Sequence, residues 1–124
     1  VKLKNATVML ETENLKDTLA FYTTLLGFKC VNTYPNTGEP CWACVQKDNI
    51  EIMFSLRNAH STIEKPTMTG SLYFYPDDVN KLWRELKNKA IVEYPIENFE
   101  YGMREFAIRD CNGYLLQFGQ EISE

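Results

Sequence analysis

The stretch Ser71-Leu72-Tyr73-Phe74-Tyr75-Pro76-Asp77-Asp78-Val79-Asn80-Lys81-Leu82-Trp83-Arg84-Glu85-Leu86 decides the fold. Its first five residues alternate in the period of two that marks a half-buried strand. Asp78 then caps a helix, and Val79, Leu82, Trp83 and Leu86 recur at the i, i+3, i+4, i+7 spacing of one apolar face. The same order stands earlier in the chain at a constant offset of 64 residues. There Thr7-Val8-Met9-Leu10-Glu11 is the strand and Asn14 the cap. Leu15, Leu19, Tyr22 and Leu26 form the apolar face, and Gly27 ends the helix. Thr7 falls on Ser71, Asn14 on Asp78, Leu19 on Trp83 and Phe54 on Phe118.

Three strand-like runs follow each helix. In the first half they are Lys29–Tyr34, Cys41–Gln46 and Ile50–Leu56; in the second, Val92–Pro95, Arg104–Arg109 and Tyr114–Gly119. One register fits both ends of the unit, which points to an internal duplication of a βαβββ unit. The expected fold class is α+β: two tandem βαβββ modules forming curved mixed sheets around a cleft, with the helices on the outer face. The whole chain, 1–124, reads as one domain, with module one over about 1–57 and module two over about 70–124. The polar stretch Asn58–Thr69, holding Pro66, is the linker.

Strand parity sorts the side chains. Val8, Leu10, Leu72, Phe74, Leu116 and Phe118 go to the helices, which leaves Thr7, Met9, Glu11, Ser71, Tyr73, Tyr75, Leu115 and Gln117 on the helix-free faces. Asp110-Cys111-Asn112-Gly113-Tyr114 suits a three-residue hairpin loop with Gly113 in the left-handed region, so Phe106 pairs with Phe118 and Glu105 and Ala107 face inward. Asp48-Asn49 suits a two-residue turn, which pairs Cys44 with Met53 and sets Trp42 opposite Ser55. Trp42 fits a ligand-facing aromatic and a core residue about equally. Tyr73 and Tyr75 are assigned to the pocket, because Phe74 between them already serves the core and a buried phenol needs a partner for its hydroxyl.

The composition is that of an ordinary globular chain, 44% hydrophobic and 24% charged. A net charge of −4 with no Lys/Arg cluster argues against a nucleic-acid surface, and no apolar run reaches the ~20 residues of a membrane span. The opening Val1-Lys2-Leu3-Lys4-Asn5 does not read as a signal peptide. The four cysteines are too sparse for a disulfide scaffold, so a cytoplasmic location is expected. Cys41 and Cys44 have a metal-like spacing, but three residues apart on a strand they point to opposite faces. The single histidine, His60, stands in the linker, and neither a Ser–His–Asp nor a Cys–His set nor a phosphate-cradling glycine loop is seen.

The tail from Tyr101 to Phe118 resembles the closing hairpin of the vicinal-oxygen-chelate superfamily. The helix signature Thr18-Leu19-Ala20-Phe21-Tyr22 with Leu25-Leu26-Gly27-Phe28 is similar too, as is Pro76-Asp77-Asp78-Val79. That superfamily holds glyoxalases, extradiol dioxygenases, fosfomycin-resistance enzymes and bleomycin-resistance proteins, and a shared fold does not choose among them. The resemblance implies metal-ligand positions at Thr7, Met53, Ser71 and Gln117. Such ions want imidazole, carboxylate or thiolate donors; Gln117 alone could serve, as an amide oxygen does in some glyoxalases, whereas Thr7, Ser71 and Met53 are poor ligands. Glu51 faces inward two residues from the expected place.

The resemblance is therefore to the bleomycin-resistance branch, supported by Cys41–Ile50 with its aromatic Trp42. It implies a homodimer that binds a planar or cationic small molecule, such as an antibiotic, with no metal and no cofactor. The expected ligand-binding residues are Thr7, Met9, Trp42, Met53, Ser71, Tyr73, Tyr75, Glu105 and Gln117. The alternative is a glyoxalase-like lyase or dioxygenase-type enzyme, with Glu11, Glu51 or Glu105 as candidate acid–base groups.

Overall fold

Asn14 and Asp78 do what their positions predict. In the computed structural model, which describes residues 1–122, the Asn14 side chain accepts from the Asp17 amide at 2.9 Å and Asp78 from the Lys81 amide at 3.0 Å. The chain divides into two compact units, Val1–Thr67 and Met68–Glu124, each with one βαβββ module. Module one runs β1 (Val8–Thr12), α1 (Leu15–Ala20), β2 (Lys29–Tyr34), β3 (Trp42–Lys47) and β4 (Ile50–Leu56). Module two runs β5 (Ser71–Phe74), α2 (Val79–Leu86), β6 (Ile91–Asn98), β7 (Met103–Arg109) and β8 (Leu115–Glu121).

The two sheets share one topology. Module one is ordered β1-β4-β3-β2 and module two β5-β8-β7-β6. In each, the first strand pairs parallel with the last and the other pairs are antiparallel. Met9 stands opposite Met53 in the first sheet and Tyr73 opposite Gln117 in the second. Both hairpins take the expected register: Cys44 faces Met53, Trp42 faces Ser55 and Phe106 faces Phe118. Gly113 has φ 84°, and the buried Asp110 carboxylate accepts from the Asn112 and Tyr114 amides at 2.9 and 2.8 Å, which closes that loop.

Each helix covers one face of its own sheet. In module two Trp83 packs on Phe106 with ring centroids 5.1 Å apart, and Phe106, Phe118 and Phe74 stack in a row. Val79, Leu86, Ile108 and Leu116 complete a water-free layer. In module one Tyr22 meets Phe54 at 4.8 Å over Leu10, Ala43, Val45 and Ile52. Thr12 and Thr18 share a buried hydroxyl–hydroxyl bond of 2.8 Å that ties β1 to α1.

Three details depart from the sequence expectation. The first helix ends in a π-helical turn, Phe21–Leu25, in which the Leu26 amide reaches back to the Phe21 carbonyl. That extra residue per turn carries Tyr22 fully into the core. The strand expected at Val92–Pro95 runs from Ile91 to Asn98, because β6 is an edge strand whose register shifts around Tyr94 leave Pro95 outside the ladder. Cys41 precedes β3 and is exposed whereas Cys44 is buried. Among the described residues, no helix is long and apolar enough to cross a membrane.

Candidate functional site

Phe106 and Ile108 point to α2, so alternation sends Glu105 and Ala107 to the opposite, helix-free face of module two. A carboxylate there should meet water. Instead Glu105 is only 1% exposed, because three phenols and an amide converge on it. The Tyr73 hydroxyl donates to Oε1 at 2.5 Å and the Tyr101 hydroxyl to the same oxygen at 2.8 Å. Tyr94 donates to Oε2, and the Gln117 amide approaches that oxygen at 3.5 Å. A carboxylate has about four lone-pair sites, and all are taken.

The second layer orients the first. Gln117 Nε2 donates to the Tyr94 hydroxyl at 2.9 Å, and Ser71 donates its own hydroxyl to Gln117 Oε1. Protons thus point one way along the row, from Ser71 through Gln117 and Tyr94 to Glu105. The amide of Gln117 is held in one orientation by a donor on one side and an acceptor on the other. Gly119 stands opposite Glu105 on the hairpin. A Cβ there would lie 2.0 Å from the Tyr73 hydroxyl oxygen, so only glycine admits that ring.

Electrostatics follow from this packing. Burial first, and then the hydrogen bond to Glu105, push the Tyr94 phenol up to about 12, while the bond from Gln117 offsets part of the rise. The same two causes, in the same order, raise the Tyr73 and Tyr101 phenols above the ordinary tyrosine value. All three remain neutral donors at physiological pH. The rings continue the surface outward. Tyr75 lies 5.1 Å from Tyr73, and Phe99 stacks on Tyr101 at 5.4 Å and meets Tyr94 edge-on at 5.6 Å. The outcome is a buried carboxylate held by three phenol hydroxyls and bordered by further aromatic rings.

Module one is built differently. By register and alternation Met9, Met53, Cys44 and Trp42 share its helix-free face. Met9 is 58% exposed and Trp42 half-buried. Thr7 lies one residue before β1. Burial, then Glu51 and Cys30, raise the Cys44 thiol, which keeps it protonated and a poor nucleophile. Glu51 is exposed, and the Ser61 hydroxyl from the linker donates to Glu11.

Of the nine residues expected at the site, the structure brings Ser71, Tyr73, Glu105 and Gln117 into one network, with Tyr75 against it. Thr7, Met9, Trp42 and Met53 belong to the other module. Sequence reasoning missed Tyr94, Phe99 and Tyr101. An inward carboxylate demands donors, and two tyrosines just upstream were the available signal. Two clefts, of about 310 Å³ beside Asn80, Asn98 and Arg104 and about 320 Å³ beside Leu15, Leu19 and Pro40, lie away from Glu105. In the first, Asn80 and Asn98 already hold the Arg104 guanidinium at 2.7 and 3.0 Å.

Residues 5–118 match the family model described as Glyoxalase/Bleomycin resistance protein/Dioxygenase superfamily. The chain belongs to that superfamily. No curated protein matches the sequence significantly. Among solved structures similar to this glyoxalase-superfamily chain is TnmS3, an antibiotic binding protein from Streptomyces sp. CB03234. It is 18% identical, with 98% of this chain and 100% of that one covered and a TM-score of 0.75. TioX from Micromonospora sp. ML1 is 17% identical over 94% and 97% of the two chains, at 0.76. A superfamily member from Sphaerobacter thermophilus DSM 20745 is 17% identical over 93% and 94%, at 0.78. At these identities the likeness is one of fold.

The metal-ligand positions that the resemblance implies, Thr7 and Met53 in module one and Ser71 and Gln117 in module two, do not carry residues that fit a divalent ion. Ser71 and Gln117 spend hydroxyl and amide oxygen on each other, and Thr7 and Met53 offer only a hydroxyl and a thioether. Among the described residues no group of three or more His, Cys, Asp and Glu stands together as a metal site.

Proposed function

We propose that this protein binds a small organic cation with a planar or aromatic body on the helix-free face of module two, without a metal, and that it sequesters such a compound. The observation carrying this reading is the Glu105 carboxylate, 1% exposed and ringed by Tyr73, Tyr94 and Tyr101. A cation set on those rings gains the quadrupole attraction of each face together with the charge behind them, roughly 0.5–2 kcal/mol per ring. The fold is known to support this kind of task, since TnmS3 is an antibiotic binding protein. The Glu105 oxygens already accept from three phenols and face the Gln117 amide, and Cys44 is held protonated, so neither stands ready as a base or a nucleophile.

A homodimer in the cytoplasm, with no nucleic-acid or membrane partner, completes the proposal. Met9 and Tyr34 are large apolar groups, 58% and 67% exposed, that a second copy would cover. The test of binding uses chelator-dialysed protein titrated with naphthylmethyltrimethylammonium and with naphthalenesulfonate, followed by nuclear magnetic resonance. The cation should bind at least about tenfold more tightly, or ~1.4 kcal/mol. Equal affinities, or a preference for the anion, would refute the reading.

A further inference from the structure

Four donors fill the Glu105 carboxylate, but they are not equally committed. The hydroxyl end of Tyr73 occupies the space a Cβ on Gly119 would fill, so the ring cannot retreat toward the sheet. Tyr94 both receives from Gln117 and donates to Glu105, and Gln117 is in turn held by Ser71. Tyr101 differs. It stands in the turn between β6 and β7, where the Gly102 amide donates to the Phe99 carbonyl at 3.1 Å, and it is 60% exposed. Its hydroxyl makes a single hydrogen bond, to Glu105 Oε1. The ring otherwise rests on Phe99.

We propose that Tyr101 occupies the place of the ligand's own donor, so that a cation bearing N–H groups displaces its hydroxyl from Glu105 and takes over the bond. This rests on the cation-binding reading above and narrows the ligand class to protonated amines, amidines or guanidines. The exchange is favourable in kind. A neutral phenol donor is traded for a charged one, and ion-to-ion hydrogen bonds are the stronger. The released hydroxyl belongs to an exposed side chain and turns to water, so no buried group is left unpaired. A quaternary ammonium has no N–H and cannot make the exchange; it is confined to the ring faces.

The experiment compares naphthylmethylammonium with naphthylmethyltrimethylammonium on wild type and on Tyr101→Phe, by nuclear magnetic resonance titration. The variant keeps the ring on Phe99 and opens one site on Oε1. The ratio of the two affinities should shift about tenfold toward the primary ammonium. Primary ammonium binding gained only in the variant would support the proposal equally. If both cations bind and the ratio is unchanged or moves the other way, Tyr101 is not the ligand's stand-in, while the cation-binding reading survives. If neither cation binds either protein, both fall together.

Discussion

Glu105 shows how one residue sets the character of a whole surface. A glutamate in a strand centre is ordinarily a solvated side chain, yet here it is sealed by Tyr73, Tyr94 and Tyr101. The arrangement has a pH signature. The folded Tyr94 phenol holds its proton up to about 12, against 10 for an unperturbed tyrosine. Between those values the unfolded chain has lost a proton that the folded chain retains. The folded state therefore binds more protons, and stability falls as pH rises. The contribution is fully present below about pH 10 and lost as pH climbs through about 12. Of the seven tyrosines in the chain, Tyr73, Tyr94 and Tyr101 should ionise late in a phenolate absorbance titration. In Glu105→Gln they should titrate earlier. A single transition near the ordinary value for all seven would contradict the network.

Between elements, the seat of the Tyr73 ring of β5 against β8 depends on a missing side chain. Gly119→Ala would set a methyl 2.0 Å from the Tyr73 hydroxyl and 2.7 Å from its Cζ, so the ring must leave Glu105. The expected cost is about 1–3 kcal/mol, typical of overpacking. In a Tyr73→Ala background the same substitution should cost less than half as much, because nothing is left to clash. Urea unfolding of the four proteins measures this, and additive effects would show that Tyr73 does not lie over Gly119.

The elements also show what sequence can reveal. Caps, helix faces and both hairpin registers were legible, because Asn14, Asp78, Gly113 and the alternation of Leu72, Tyr73 and Phe74 act locally. Tyr94 and Tyr101 were not. The register shifts of β6 on either side of Tyr94 break the parity that places inward residues, and Tyr101 reaches Glu105 from a turn, where no period applies. The assignment of Ser71 and Gln117 to inward positions came from parity alone. That their polar groups would be spent on each other depends on a cross-strand hydrogen bond that a sequence does not display.

Across the whole molecule, the two modules share one topology and differ in chemistry. Where module two has Glu105 opposite Gly119, module one has Trp42 opposite Ser55. Where module two pairs Tyr73 with Gln117, module one pairs Met9 with Met53. The helix-free face of module two gathers a carboxylate and tyrosines, whereas that of module one gathers Met9, Met53, Cys44 and Trp42, with Glu11 beside Ser55. The proposed homodimer should appear as about twice the monomer mass by sedimentation at tens of micromolar, the range in which a standard interface of about 1,200–2,000 Å² holds. A monomer there would remove that part of the proposal and leave the module-two site to act alone.

If the Glu105 carboxylate draws a cation to this face, its charge must be needed for binding. Titration of wild type and Glu105→Gln with naphthylmethyltrimethylammonium, observing backbone amides, measures that need. Gln keeps the size of the side chain and removes its charge, and the dispersion of the spectrum reports that the fold is intact. Shifts should centre on Tyr73, Tyr94 and Tyr101 in wild type, and the affinity should be lower by at least about tenfold, ~1.4 kcal/mol, in the variant. A folded Glu105→Gln protein that binds the cation as tightly as wild type, or shifts confined to Met9, Trp42 and Met53, would contradict this role of Glu105.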